Sequence, residues 1–260
     1  MKILFVGDVF GKPGRRALKS GLAAARREHR PDFVIVNGEN AAGGFGITSA
    51  IVDDILAENV DVITSGNHVW DRREIYDRLE REPRLLRPDN YPDGNPGRGV
   101  WTGTVGAVNG AVVNLQGRVF MKDIDCPFRR IDALLDSPSL GVAQIVIVDF
   151  HAEATAEKIA LGLYTDGRVT AVIGTHTHVP SADPKILPGG TAYVTDVGMT
   201  GPHGGVIGVR AEGAIERFLR QTPNRFEVAG EDVRFQAVLI TVDDGTGKAT
   251  AIERIDAPVA

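Results

Sequence analysis

A lone cysteine, Cys126, is all the thiol in this chain of 260 residues. No disulfide can close within it and no metal site can be built on thiolates, so a reducing cytoplasm is the expected setting. Long apolar runs are missing too, and none reaches the length of a membrane span. The N-terminus, M-K-I-L-F-V-G-D-V-F, offers one lysine and a four-residue apolar run before Gly7 and Asp8. That is too short for a signal peptide, and the mature protein is expected to start here. Nor is there an excess of positive charge. The formal net charge is −5, which argues against tight binding to a nucleic-acid backbone. A small anionic substrate stays compatible with it if the site supplies its own positive charge. Internal repeats and low-complexity segments are absent.

What is present is a globular composition, 43% hydrophobic, with apolar surface enough for a sizeable core. β-Branched apolar runs at 3–6, 33–36, 60–64, 145–148 and 169–173 predict strands buried on both faces. Helical patterns fill 13–29, 48–58, 71–81, 128–135 and 153–163. Pro13 suits a first helical position, and Thr48 is an N-cap candidate. Alternating strands and helices predict an α/β protein with parallel strands. Two stretches break that rhythm: 100–106 with 110–120, around Val-Asn-Gly, and 233–242 with 248–255, around D-D-G-T-G. Both read as hairpins, so a second sheet or a mixed edge is expected. The turn-rich Y-P-D-G-N-P-G-R at 91–98 reads as a loop inside a single domain spanning 1–260.

Each central strand runs into a polar residue. The first ends in G-D (Asp8), the second in N-G-E-N (Glu39, Asn40) and the third in S-G-N-H (Asn67, His68). The fourth ends in D-F-H (His151) and the fifth in G-T-H-T-H (His176, His178). Taken singly, each has a plainer reading: Asp8 as a helix cap, His151 as a satisfied buried histidine. In a parallel α/β sheet, however, the carboxyl ends of the strands share one edge, where ligands bind. Two carboxylates, two amides and four of the six histidines would then meet on one rim. Carboxylate, imidazole and amide donors without thiolate suit Mn, Fe or Zn better than Mg or Ca. Eight groups exceed the needs of one ion. Two ions about 3.5–4 Å apart, sharing a carboxylate, would use most of them. Such a centre stays cationic and attracts phosphate despite the acidic whole molecule.

The order G-D, G-E-N, G-N-H, a single His, then G-T-H-T-H resembles the calcineurin-like metallophosphoesterases, whose blocks are usually D-x-H, G-D, G-N-H-D/E, H and G-H-x-H. Two departures stand out. Phe10 replaces the usual histidine of the first block, and Glu39 followed by Asn40 replaces the usual aspartate of the second. With G-N-H-V-W-D, T-H-T-H-V-P and T-D-V-G-M-T-G-P, they look like the bacterial YmdB-like family, over about residues 2 to 256. The resemblance implies a four-layer αββα metallophosphoesterase sandwich, two mixed sheets flanked by helices. It implies that Asp8 and His178 bind one metal, that Glu39 bridges, and that Asn67, His151 and His176 complete the second metal. Asn40 matches the position that takes over where the usual histidine is missing, as a ligand or as a group that orients substrate. His68 matches the histidine that contacts substrate and protonates the leaving group. The implied cofactors are two divalent or trivalent ions, iron and/or manganese.

The activity so implied is hydrolysis of small phosphodiesters, cyclic nucleotides in particular, by attack of a metal-bridging hydroxide on phosphorus. A phosphomonoesterase or nucleotidase on the same site is the alternative. A regulatory protein that binds a nucleotide or RNA over a vestigial metal site is another. The partner expected is a small phosphorylated molecule, with neither membrane nor stable DNA binding; a homo-oligomer is compatible with all of this. G-D-V-F-G-K-P-G at 7–14 lacks the spacing of a phosphate loop and reads as a tight turn. A-A-G-G-F-G at 41–46 is either a loop beside Asn40 that reaches the site or a plain connection. His203 reads first as a surface-loop residue. Arg26, Arg27 and Arg30 read as a solvated helix face, and Trp70 and Trp101 as packing residues.

Overall fold

The computed structural model describes residues 1–259; the last residue of the 1–260 span lies outside the described residues. In chain order the first elements are β1 (Lys2–Val6), β2 (Asp8–Val9), α1 (Gly11–Glu28), β3 (Phe33–Asn37), α2 (Ser49–Ala57), β4 (Val62–Thr64) and α3 (Ile75–Arg81). There follow β5 (Val100–Val105), β6 (Val108–Gln116), α4 (Pro127–Leu135), α5 (Pro138–Gly141), β7 (Ile145–His151), α6 (Thr155–Tyr164) and β8 (Ala171–Thr175). The chain closes with β9 (Lys185–Ile186), β10 (Ala192–Val194), β11 (Met199–Pro202), α7 (Ala211–Arg220), β12 (Val233–Val242) and β13 (Ala249–Pro258).

Apolar residues run almost unbroken through the strands because each strand feeds two cores. In β1, Ile3 and Phe5 enter one core with Ile147 and Ile173, while Leu4 and Val6 enter another with Leu18 and Leu22 of α1. The first core lies between two sheets and the second lies under α1, α2 and α3. A third, with Val148, Phe150 and Tyr193, lies under α4 and α6. Helices, sheet, sheet and helices therefore make the four layers expected from the resemblance.

One sheet runs β2-β11-β12-β1-β3-β4, with β13 also on β12. The other runs β5-β6-β7-β8-β10-β9. Both are mixed. β1 pairs parallel with β3 and antiparallel with β12, while β6, β7 and β8 are parallel neighbours and β5 is antiparallel. Both predicted hairpins are present.

Three expectations need correction. The single rim of one sheet is two rims: β1, β3 and β4 belong to one sheet and β7 and β8 to the other, so the site lies where the two edges meet. Asp8 does not end β1 but sits on β2, parallel to β11. The helix predicted from 71 starts only at Ile75. Arg72 is extended there, with its guanidinium bonded to the Ala42 and Phe45 carbonyls, and only a 3-10 turn at Val69–Asp71 forms before it. Thr48 does cap α2, accepting from Ile51 N. Among the described residues no helix is long and apolar enough to cross a membrane.

Candidate metal centre

The seven candidate metal ligands come together in two touching groups. In one, His151 Nε2 lies 3.0 Å from Glu39 Oε1, 3.1 Å from Asn67 Oδ1 and 3.1 Å from His176 Nδ1. In the other, His178 Nε2 lies 3.6 Å from Asp8 Oδ2 and 3.0 Å from Asn40 Nδ2. The His176 backbone N–H donates to Asp8 Oδ2 at 2.9 Å and ties the groups together. Asp8, Glu39 and His151 are fully buried. Gly66, just before Asn67, leaves the room for this: a Cβ there would overlap the Glu39 carboxylate and the His151 ring.

Hydrogen bonds behind the histidines settle which ring nitrogens carry protons. Thr175 Oγ1 gives its only proton to Asp149 Oδ1 at 2.7 Å, so it accepts from His151 Nδ1–H at 2.9 Å. His178 Nδ1–H donates to the Ile207 carbonyl at 2.9 Å. His176 Nε2 faces Glu153 Oε2 at 3.0 Å and donates there. Three nitrogen lone pairs, on His151 Nε2, His176 Nδ1 and His178 Nε2, are thereby aimed inward, the arrangement that metal-ligating histidines need.

Several oxygens facing the same way lack partners. Asp8 Oδ1, both Glu39 side-chain oxygens and Asn40 Oδ1 are buried and accept no hydrogen bond. Buried acceptors left unmatched cost free energy. Burial raises the Asp8 carboxyl well above the usual range, aided by Asp196 and Glu39 nearby, and pushes Glu39 up to about 7. Burial also lowers all three histidines, His176 to about 2. Lone pairs facing lone pairs and anions facing anions are resolved by a cation. Glu39, His151 and His176 bring ligand atoms within 4.8 Å of one another, and this His/Glu cluster fits a metal site.

Around the centre opens a cavity of about 440 Å³. His68 lines it, its Nδ1 held by Asp71 Oδ2 at 2.8 Å and its ring edge-on to Phe45 at 5.1 Å. The 41–46 loop does reach the cavity, through Gly44 and Phe45. Phe10, in place of the usual histidine, packs edge-on to His178 at 5.4 Å and belongs to a small core with Met199 and Val209. His203 does not line the cavity; its Nε2–H bonds the Met199 carbonyl. Trp70 packs on Tyr76 and Tyr91, and Trp101 on Phe33.

Residues behind the centre escaped the sequence reading. Asp196 Oδ2 accepts from Thr177 N at 3.1 Å, Thr177 Oγ1 at 2.8 Å and Lys158 Nζ at 2.7 Å. Thr177 stands between His176 and His178, both at positive φ (101° and 64°), so Asp196 helps hold the strained turn that presents them. The available signals were slight: Asp149 as a charge inside an apolar strand, and Lys158 on the α6 face that carries Leu161 and Gly162. Asp196→Ala is expected to destabilise the fold by about 3–5 kcal/mol, because it strands a buried ammonium. Urea unfolding measures the loss, and Lys158→Met in the same chain should recover most of it; no recovery would refute the ion-pair account.

A family model described as YmdB-like protein matches residues 4–255. A protein of Bacillus subtilis (strain 168) named 2',3'-cyclic-nucleotide 2'-phosphodiesterase is 49% identical over 255 residues, 98% of this chain and 96% of that one. The crystal structure of a Mycoplasma pneumoniae protein called a novel phosphatase superposes with a TM-score of 0.93 at 36% identity, covering 99% of this chain and 93% of the other. A Thermus thermophilus protein gives the same TM-score at 44% identity, covering 99% of both chains.

Proposed function

This chain belongs to the YmdB-like family, and on that premise we propose that it is a phosphoric ester hydrolase that cleaves small phosphodiesters, cyclic nucleotides in particular, at a centre of two metal ions. The observation that carries the reading is the set of buried, unpartnered acceptor atoms, Asp8 Oδ1, both Glu39 side-chain oxygens and Asn40 Oδ1, gathered with three inward-facing histidine nitrogens, of which only His178 Nε2 meets a donor, Asn40 Nδ2. Asp8, His178 and Asn40 would hold one ion, Asn67, His151 and His176 the other, with Glu39 between them. For Asn40 this role means presenting its unpartnered Oδ1. An oxygen- and imidazole-rich set without thiolate favours iron or manganese. Bound there, such ions make water acidic enough to supply a nucleophile near neutral pH and offset charge on the phosphate.

The chain's own groups do the rest. His151 and His178 are fixed in orientation by Thr175 and the Ile207 carbonyl, so the donor set is formed before substrate arrives. The His68 ring belongs to neither group of ligand contacts; it meets Asp71 and Phe45. Held by Asp71 through Nδ1, it leaves its other ring nitrogen free to give a proton to the departing oxygen. The cavity wall beside His178 is apolar, with Phe10, Val206, Ile207 and Val209, and suits the nucleoside part of a nucleotide.

The test combines elemental analysis of the purified protein with turnover on bis-p-nitrophenyl phosphate, p-nitrophenyl phosphate and a 2',3'-cyclic nucleotide. About two equivalents of metal and faster cleavage of diesters than of the monoester are expected. Preference for the monoester would move the assignment to a phosphatase, the name borne by the Mycoplasma relative. A metal-free protein that turns over none of the three would overturn it.

A further inference from the structure

We propose that a second phosphate of the substrate is bound in an arginine-lined cleft beside the catalytic cavity, so that nucleotides carrying a further phosphate are preferred over bare cyclic mononucleotides. The inference rests on the phosphodiesterase reading above. The cleft, of about 490 Å³, is lined by Arg72, Arg217, Arg225 and Asn224 and shares Phe45, Phe226 and Arg217 with the catalytic cavity. The two spaces are therefore neighbours across one wall.

Charge is what marks this cleft. In a chain of net charge −5, three guanidinium groups line one depression. Two acidic side chains lie nearby: Glu227 pairs with Arg210 at 3.4 Å, and Glu216 pairs with Arg220 at 3.2 Å while its other oxygen accepts from Asn224 Nδ2 at 3.2 Å, at the edge of the cleft. Among the described residues, Arg72, Arg217 and Arg225 have no carboxylate partner. Arg72 is steadied by the Ala42 and Phe45 carbonyls, and Arg217 lies over the Phe226 ring, 5.5 Å from its centroid. Two of the three are thus held in place, and like charges brought together in this way favour an oxyanion.

The wall says what joins the two anions. Phe45 and Phe226 face both spaces and offer a ring surface between them. A nucleoside crossing that ridge would seat one phosphate at the metal centre and the next among the arginines. The second phosphate is either a terminal 5'-phosphate or the internucleotide phosphate of a short oligonucleotide; the chemistry recognised is the same.

The experiment compares three substrates on the metal-loaded protein: adenosine 2',3'-cyclic phosphate, its 5'-phosphorylated form, and an adenylyl dinucleotide ending in a 2',3'-cyclic phosphate. The wild type and Arg225→Gln are measured by steady-state kinetics and by equilibrium dialysis. At least one of the phosphate-bearing substrates should bind about tenfold tighter than the bare one in the wild type. Arg225→Gln should erase most of that advantage and leave the bare cyclic nucleotide untouched. The advantage should also shrink with added salt, because the arginines are exposed. Equal binding of all three, or an advantage that survives Arg225→Gln, overturns the proposal. If none is hydrolysed but the Arg225-dependent binding preference appears, the cleft stands and the phosphodiesterase reading falls.

Discussion

Replacing His68 by alanine is expected to lower turnover of a cyclic nucleotide by about 10²–10⁴-fold, the range that a positioned proton donor contributes. The metal content should not change. His68 follows β4 in the same turn as Asn67, yet its ring contacts are with Asp71 and Phe45. Loss of a proton donor hurts a poor leaving group more than a good one. The drop should therefore be much smaller with bis-p-nitrophenyl phosphate, whose nitrophenolate leaves readily without a proton. Parallel measurement of kcat on both substrates, with elemental analysis of the variant, makes the comparison. An equal fall on both, or loss of metal, would remove His68 from the role of acid and make it a structural residue.

Glu39→Gln has the second large effect. The glutamate carries two buried oxygens without hydrogen bonds and is pushed up to about 7 by burial. Glutamine keeps the shape and removes the charge. Metal affinity should fall by more than the roughly 10–100-fold that removing a residue behind a ligand costs, and activity should fall with it. Stability should move the other way in the chelated protein. A carboxyl raised from 4.5 to about 7 binds its proton more tightly when folded, so its ionisation costs the folded state stability as pH rises across that window. The variant should gain about 1–3 kcal/mol over wild type at pH 8 in chelator, and little at pH 5. Wild-type metal loading, conversely, should weaken as pH falls through about 7, because the proton competes with the ion. Urea unfolding in chelator and metal titrations at several pH values measure both. A variant that loads metal normally would end the bridging assignment.

Much of this centre was written locally. Asp8, Glu39, Asn40, Asn67, His68, His151, His176 and His178 all follow or end strands that announce themselves as short apolar runs. Strand ends are local events, and donor types alone select a class of metal. The helices at 13–29, 48–58 and 153–163 were legible for the same reason, through their pattern, with a cap at Thr48 alone. Shorter pieces were not. β2, β9, β10 and β11 have two to four residues each, too few for any periodicity to register. α7 buries only Ala214 and leaves Ile215, Phe218 and Leu219 exposed, so its apolar residues do not mark a core face.

By itself, then, the order of residues determined which side chains could act, the absence of thiolate ligands, and the resemblance that spans the chain. Only the tertiary structure decided that the rim is shared by two sheets, that Asp8 rides on β2 beside β11, and that Asp196 and Lys158 brace the histidine turn from behind. It also decided that Phe45, Arg217 and Phe226 stand between two spaces. The division has one cause. Period, caps and strand ends depend on neighbours a few residues away, whereas lone-pair direction, burial and unpaired charge depend on contacts such as His176 with Asp8, 168 residues apart, which exist only once both sheets have closed on each other.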